Sequence, residues 1–174
     1  MRIELEKLEG GRGDFAHVYQ PDELDPGDER VRLAAPAEVR GTIRRTGQAV
    51  AVKGHVATRV QLECDRCLKP IELPVISDFA LEYITGADYE SSSAAALSEE
   101  EMSVSVFDGE SIDVDEIVKE QVLLAVPARA LCREDCKGIC PECGIDLNTG
   151  QCNCAADEVD PRWAALKGLK NTDR

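Results

Sequence analysis

Eight cysteines fall in four close pairs, Cys64/Cys67, Cys132/Cys136, Cys140/Cys143 and Cys152/Cys154, six of them inside CREDCKGICPECGIDLNTGQCNC. Thiolate is a soft anionic donor, and four thiolates complete the tetrahedral shell of zinc with no position left for water. The simplest account of eight thiols is two zinc ions in two closed sites, which stabilise structure and catalyse nothing. A catalytic zinc would keep an open position and a nearby base, and His17 and His55 stand without a partner motif.

The run Cys140-Pro-Glu-Cys143-Gly144 has the form of a zinc knuckle: a tight turn brings two sulfurs to one ion, and Gly144 lets backbone N–H groups face thiolate. Cys152 and Cys154, two residues apart, project to one side of an extended segment. Zinc held at about 2.3 Å per sulfur needs neighbouring sulfurs roughly 3.8 Å apart, within reach of both pairs. One site from Cys140, Cys143, Cys152 and Cys154 then leaves Cys64, Cys67, Cys132 and Cys136 for a second, which would staple two distant segments together. The competing arrangement joins Cys132/Cys136 to Cys140/Cys143 and leaves Cys64/Cys67 free or with Cys152/Cys154. Local closure of the last four thiols costs less loop entropy and favours the first. A redox reading makes Cys64-Asp65-Arg66-Cys67 a thiol–disulfide pair activated by Arg66, but the flanking pattern is strand–turn–strand, without the βαβ setting of a thioredoxin-like motif.

The elements that must position these thiols show in the hydropathy. Val31, Leu33, Ala35, Ala37, Val39, Gly41 and Ile43 share one parity, and Arg30, Arg32, Arg40 and Arg44 the other. That is the alternation of half-buried strands, with Pro36 as a break or edge. After the turn-like RRTGQ, Val50 to Leu62 repeat the pattern with Lys53, His55 and Arg59 outward, and Gly54 could admit a bulge. A third run, Ile71 to Tyr83, sets Glu72, Asp78 and Glu82 opposite its apolar side, so Cys64/Cys67 fall in the connection between two strands. Residues 9–29 are rich in Gly, Pro and Asp and read as a loop. YESSSAAALSEEE reads as part of an acidic mobile loop over 85–103. VSVFDG suggests a short strand, and Asp113 an N-cap for a helix that runs to Pro127 and packs on the sheet. DPRWAALKGL opens with Asp160 and Pro161 and spaces Trp163, Leu166 and Leu169 as a short amphipathic helix.

The expected fold class is α+β: an antiparallel sheet that could close into a barrel-like form, with one packed helix, over residues 1–130. A cysteine-rich zinc segment and a C-terminal helix follow over 131–174. The hydrophobic share is 43% and the aromatic share 4%, so the core rests on aliphatic side chains and base-stacking platforms are not expected. MRIELEKLEG lacks the apolar core of a secretory signal and the longest aliphatic run, Val122 to Val126, is too short for a membrane span. These features point to a cytoplasmic, reducing setting, where clustered thiols are metal ligands rather than disulfides. Net charge is −14, yet it is segregated: −6 over residues 1–29, +6 over 30–69, −13 over 70–120 and −1 over 121–174.

QLECDRCLKP, a helix ending LLAVPAR, LCREDCKGICPECGIDLNTGQCNC and DPRWAALKGL, in that order, closely resemble the YceD family of bacterial and plastid proteins named for large ribosomal RNA subunit accumulation. The resemblance covers about residues 30–170. It implies a non-enzymatic ribosome biogenesis factor supporting synthesis, processing or accumulation of 23S rRNA, with large-subunit rRNA or a pre-ribosomal particle as partner. Arg30, Arg32, Arg40, Arg44, Lys53 and Arg59 then become candidate RNA-binding residues on a basic sheet face. Against that, Glu72, Asp78 and Glu82 on the next strand could neutralise them as cross-strand pairs. The acidic block 70–120 suggests instead a zinc-containing adaptor or chaperone for a basic ribosomal protein.

Overall fold

Strand pairing follows the parity of the sequence. The computed structural model describes residues 1–87, 89, 104–154 and 162. Along it run β1 (Arg2–Glu4), β2 (Arg12–Tyr19), β3 (Arg32–Leu33), β4 (Ala37–Thr46), β5 (Ala49–Glu63), β6 (Pro70–Thr85), β7 (Val104–Phe107), β8 (Ser111–Asp113) and the helix α1 (Val114–Ala125). The main sheet has the order β2-β4-β5-β6-β7, with β3 also paired to β5, and β1 with β8 forms a separate two-stranded ribbon. β3 and β4 lie in succession along one side of β5, broken at 34–36 where Pro36 cannot donate to the ladder. On the inner face Val39, Ile43, Val50, Val52, Val56, Val60 and Val75 are buried, while Arg40, Lys53 and Arg59 are exposed on the other.

The sheet is open and not barrel-like, because β2 and β7 end the path without pairing to each other. Its apolar face is covered by a helix, so it need not close on itself. α1 buries Val114, Ile117, Val118 and Val122 in the common core. Asp113 caps it by accepting from the Asp115 N–H at 3.0 Å. The buried Gln121 is matched by Ser77 on β6 at 2.9 Å, which spares a polar group the cost of desolvation without a partner. The sheet is also not wholly antiparallel: β7 joins β6 in parallel. A parallel neighbour needs a connection of a dozen or more residues, and the chain between Thr85 and Val104 is long enough for one.

Residues 12–19 are a strand and not part of a loop. β2 pairs with β4 along its whole length, but as an edge strand it buries only Phe15 and Tyr19, with Gly13 and Ala16 blurring the alternation. The Tyr19 hydroxyl donates to Asp115 at 2.5 Å and fastens this edge to α1. Burial and the Asp115 carboxylate both push the Tyr19 pKa up. Most of the expected acidic loop, residues 88 and 90–103, lies outside the described residues. So does the expected C-terminal helix, apart from Arg162.

Gly54 makes no bulge, since β5 pairs with β6 in unbroken register from Val50–Tyr83 to Glu63–Pro70. Instead Gly54 faces Gly41 across the β4–β5 ladder. A Cβ at Gly41 would come within 2.6 Å of the Phe15 ring, and one at Gly54 within 2.5 Å of the Phe79 ring. The two glycines leave room for two of the few aromatic rings in the core. Gly54→Val is expected to lower unfolding free energy by about 1–3 kcal/mol through overpacking, measured by urea denaturation, and Ala80→Val on the solvent face to leave it nearly unchanged.

Candidate metal centres and basic sheet face

β5 ends at Glu63, the chain turns through Cys64–Cys67, and β6 begins at Pro70. The turn is closed by Leu68 N–H to Cys64 O and by Cys64 N–H to Lys69 O, both at 2.9 Å. Beyond α1, Ala130 pairs with Asp65: the Asp65 N–H donates to Ala130 O at 2.9 Å, and the Asp65 carboxylate accepts from the Ala130 N–H. This double contact delivers Cys132 and Cys136 to the turn. Cys64, Cys67, Cys132 and Cys136 form one group and Cys140, Cys143, Cys152 and Cys154 another, with the sulfurs of each group all within 4.8 Å of one another. Cys64 and Cys136 sulfurs stand 3.9 Å apart and those of Cys67 and Cys132 3.7 Å apart. These are the edge lengths of a thiolate tetrahedron around a divalent ion, far longer than the roughly 2.05 Å of a disulfide.

The groups differ in depth. Cys64, Cys67 and Cys136 are buried and Cys132 is exposed, whereas only Cys140 is buried in the second group. Burial pushes the Cys64 thiol up, but backbone N–H groups of Cys132, Cys67 and Arg66 outweigh it and hold the pKa down at about 6. Backbone N–H groups of Cys143 and Glu142 bring Cys140 to about 7. In the same groups burial and the neighbouring sulfurs push Cys132 up to about 12, and hydrogen bonds donated by the Cys154 thiol to Cys143 and Cys140 push Cys154 up to about 12. Each group thus accepts a first thiolate and resists the last. A divalent cation removes that repulsion, so the donor set, spacing and N–H support all fit a closed metal site.

Arg66 does not activate a thiol with its side chain. Its guanidinium donates to the carbonyls of Glu134 and Cys136 and so fastens the 133–138 loop. The two groups are also joined to each other. Ile139 N–H donates to Arg66 O at 3.1 Å, and Gly138, at φ 80°, lies where a Cβ would meet that carbonyl at 2.9 Å. Asn148, between the thiols of the second group, donates to Cys136 of the first at 3.5 Å and accepts from Lys137 N–H and Arg133. Lys69 meets Asp146 at 2.6 Å, and that hydrogen bond holds the Asp146 carboxyl down at about 2. Sequence spacing gives none of these cross-ties except as an Asp-Leu-Asn turn, whose side chains favour local backbone bonds.

Register places Arg32, Arg40, Arg44, Lys53 and Arg59 on the outer face of the sheet. Arg30 is not with them: it lies before β3 and forks onto Asp28 at 2.8 and 3.1 Å. Glu72 takes Arg59 at 3.4 Å, and Asp78 takes His55 at 2.7 Å. Among the described residues Arg32, Arg40, Arg44 and Lys53 have no ion pair. Arg12 joins them, directly opposite Arg44 across β2–β4, a like-charge pairing that costs energy unless an anion shares it. Its signal was the Phe15/His17/Tyr19 alternation.

An open mixed sheet with one covering helix and two four-thiol groups defines a small cysteine-clustered α+β protein. The family model described as Large ribosomal RNA subunit accumulation protein YceD matches residues 52–170, and the chain belongs to that family. It is 34% identical over 124 residues to an uncharacterized protein of Mycobacterium tuberculosis, 71% of this chain and 57% of that one. It is 27% identical over 162 residues to the uncharacterized protein YlbN of Bacillus subtilis, 92% of this chain and 89% of that one. With the chloroplastic large ribosomal RNA subunit accumulation protein YCED homolog 1 of Arabidopsis thaliana it shares 24% over 156 residues, 78% of this chain and 49% of the relative. The chain spans a little over half the length of the mycobacterial relatives. No solved structure matches it.

Exposure orders the thiols of metal-free protein, because a buried sulfur is out of reach of the reagent whatever its ionisation. Alkylation under native conditions, mapped by mass spectrometry, is expected to modify exposed Cys143 first and the buried Cys64 and Cys136 last.

Proposed function

We propose that this protein is a non-enzymatic ribosome biogenesis factor that supports accumulation of 23S rRNA. In this reading two structural zinc ions are held by Cys64, Cys67, Cys132 and Cys136 and by Cys140, Cys143, Cys152 and Cys154. The plant relatives are named for accumulation of large-subunit ribosomal RNA. The observation that carries the reading to this chain is the outer face, where Arg12, Arg40, Arg44 and Lys53 gather on three adjacent strands and outnumber Asp14 and Glu38, in a chain whose net charge is −14. An acidic protein that still concentrates cations on one surface selects phosphate there and repels it elsewhere. Arg32 extends this face, whereas Arg30 and Arg59, already paired, contribute less. No helix among the described residues is long and apolar enough to cross a membrane, and a cytoplasmic site of action accords with reduced thiols.

The cysteine-rich part 131–154 is then a metal-held appendage of the β-rich body 1–130, fastened to it by the first ion. Native mass spectrometry of freshly purified protein is expected to count two zinc ions per chain. Cys143→Ser should remove one and leave the sheet's thermal unfolding almost unmoved, while Cys64→Ser should cost both metal and several degrees of Tm, because buried thiols stand unpaired at the hairpin end.

Direct RNA contact makes a separate expectation. Binding to a large-subunit rRNA fragment should weaken steeply with salt, and Arg40→Glu/Arg44→Glu/Lys53→Glu should flatten the log–log salt slope by roughly 0.7–0.9 for each phosphate no longer neutralised. Unchanged affinity in that variant would sink the basic-face reading. The net −13 of residues 70–120 favours a second reading, an adaptor for a basic ribosomal protein. That reading expects co-purification that survives nuclease.

A further inference from the structure

The cations of the outer face do not spread evenly over it. Register fixes where each stands: Arg12 lies opposite Arg44, Lys53 opposite Thr42, and Arg40 opposite His55. Arg44, Lys53 and Arg40 therefore step along the seam between β4 and β5, and Arg12 doubles the end at Arg44. From Arg44 to Arg40 the row runs about 13 Å, at roughly 3.3 Å per residue.

Carboxylates bound this row on both sides. On β2, Asp14 faces Thr42 and so stands level with Lys53. On β6, Glu82 faces Ala51 and Asp78 faces His55, and both acids are exposed. The flanking segments are acidic overall, −6 over residues 1–29 and −13 over 70–120. A strip that attracts phosphate is thus only two strands wide, with neighbouring strands about 5 Å apart. A duplex carries a phosphate row on each side of a groove, and its second row would fall toward the carboxylates of β6 or β2. A single strand carries one row and meets only the cations.

Beyond Arg40 the row ends at Glu38, which faces Ala57. Among the described residues Glu38 has no ion pair. Here the sheet face holds an open hollow of about 480 Å³, lined by Ala16, Val18, Glu38, Arg40, His55 and Ala57 together with neighbouring backbone. Val18 is 48% exposed there. Small apolar side chains beside a free carboxylate suit a nucleobase, whose ring is flat and whose edge bears N–H donors that a carboxylate accepts. Bases of a single strand can leave their stack and enter such a hollow, whereas those of a duplex are held in place.

We propose that the outer face takes single-stranded RNA in preference to a duplex, with one run of phosphates along Arg12, Arg44, Lys53 and Arg40 and one base turned into the hollow beside Glu38. The inference rests on the RNA-binding reading above and adds the form of RNA that is bound. Phe15, Tyr19 and Phe79 are buried on the other side of the sheet, so no ladder of stacked rings contributes and phosphate contacts dominate the affinity.

Fluorescence anisotropy of the full chain with a labelled, unstructured RNA strand, alone or annealed to its complement, tests this. The single strand is expected to bind at least about tenfold tighter, with log K falling against log salt at a slope of about −2 to −3, roughly 0.7 for each of three or four phosphates. Asp78→Asn/Glu82→Gln clears the β6 border and should raise duplex affinity several-fold more than single-strand affinity. Ala57→Leu fills the hollow and should weaken the single strand several-fold with the salt slope unchanged. All three positions lie on the solvent face, so circular dichroism and Tm should match wild type. Equal or tighter binding of the duplex, or wild-type binding by Ala57→Leu, overturns the proposal and leaves the RNA-binding reading standing. Absence of binding to either form overturns both.

Discussion

The β5–β6 hairpin pairs residues without interruption from Val50 with Tyr83 to Glu63 with Pro70, and the rest of the molecule depends on that register. Because side chains alternate strictly, a slip of one residue would expose the valines of β5 and bury Lys53 and Arg59. The buried row Val50, Val52, Val56 and Val60 makes such a slip prohibitively costly. With register fixed, the hairpin's closed end falls at Cys64–Cys67, and the outer face receives its cations. Core, basic face and first thiol pair are thus three consequences of one ladder.

Legibility in the sequence tracked how much each feature depends on alternation. The β4, β5 and β6 runs and the cap at Asp113 could be read because apolar period and turn residues both mark them, and the thiol groups because spacing and loop closure limit their partners. β2 escaped because an edge strand with one solvated side needs only Phe15 and Tyr19 inside. The open sheet escaped because closure depends on whether α1 or a further strand covers the apolar face, and hydropathy is the same in both cases. Gly54 carried a misleading cue. In a single strand a glycine suggests a bulge, and only its position opposite Gly41 reveals that the two exist to admit Phe15 and Phe79.

Charge shows the same division between local and tertiary information. Glu72, Asp78 and Glu82 share a face with the cations, yet Asp78 is spent on His55 and only Glu72 meets an arginine. Ion pairing among the described residues therefore stops at the β5–β6 boundary, and the unpaired cations lie on the β2–β4–β5 side of it, with Asp14 and Glu38 on the same face. A count of charges by segment cannot see this, because the deciding distance is across strands, about 5 Å, and not along the chain.

The two thiol groups are unequal in what they hold. The first is embedded: its turn belongs to the hairpin, and its other half is delivered by the Asp65–Ala130 pairing directly after α1. The second is peripheral, with most of its thiols at the surface. Its ties to the body pass through Arg66, Lys69 and Cys136, all of which belong to the first group or its turn. Order in the second group therefore presupposes order in the first, while the reverse does not hold. Asn148 makes the dependence reciprocal at one point only, since it orients a sulfur of the first group from within the loop of the second. Contacts of this kind fix the direction of a sulfur, so an ion held by the peripheral group would also firm the embedded one, and the cysteine-rich part is tied toward the hairpin end instead of standing as a free module.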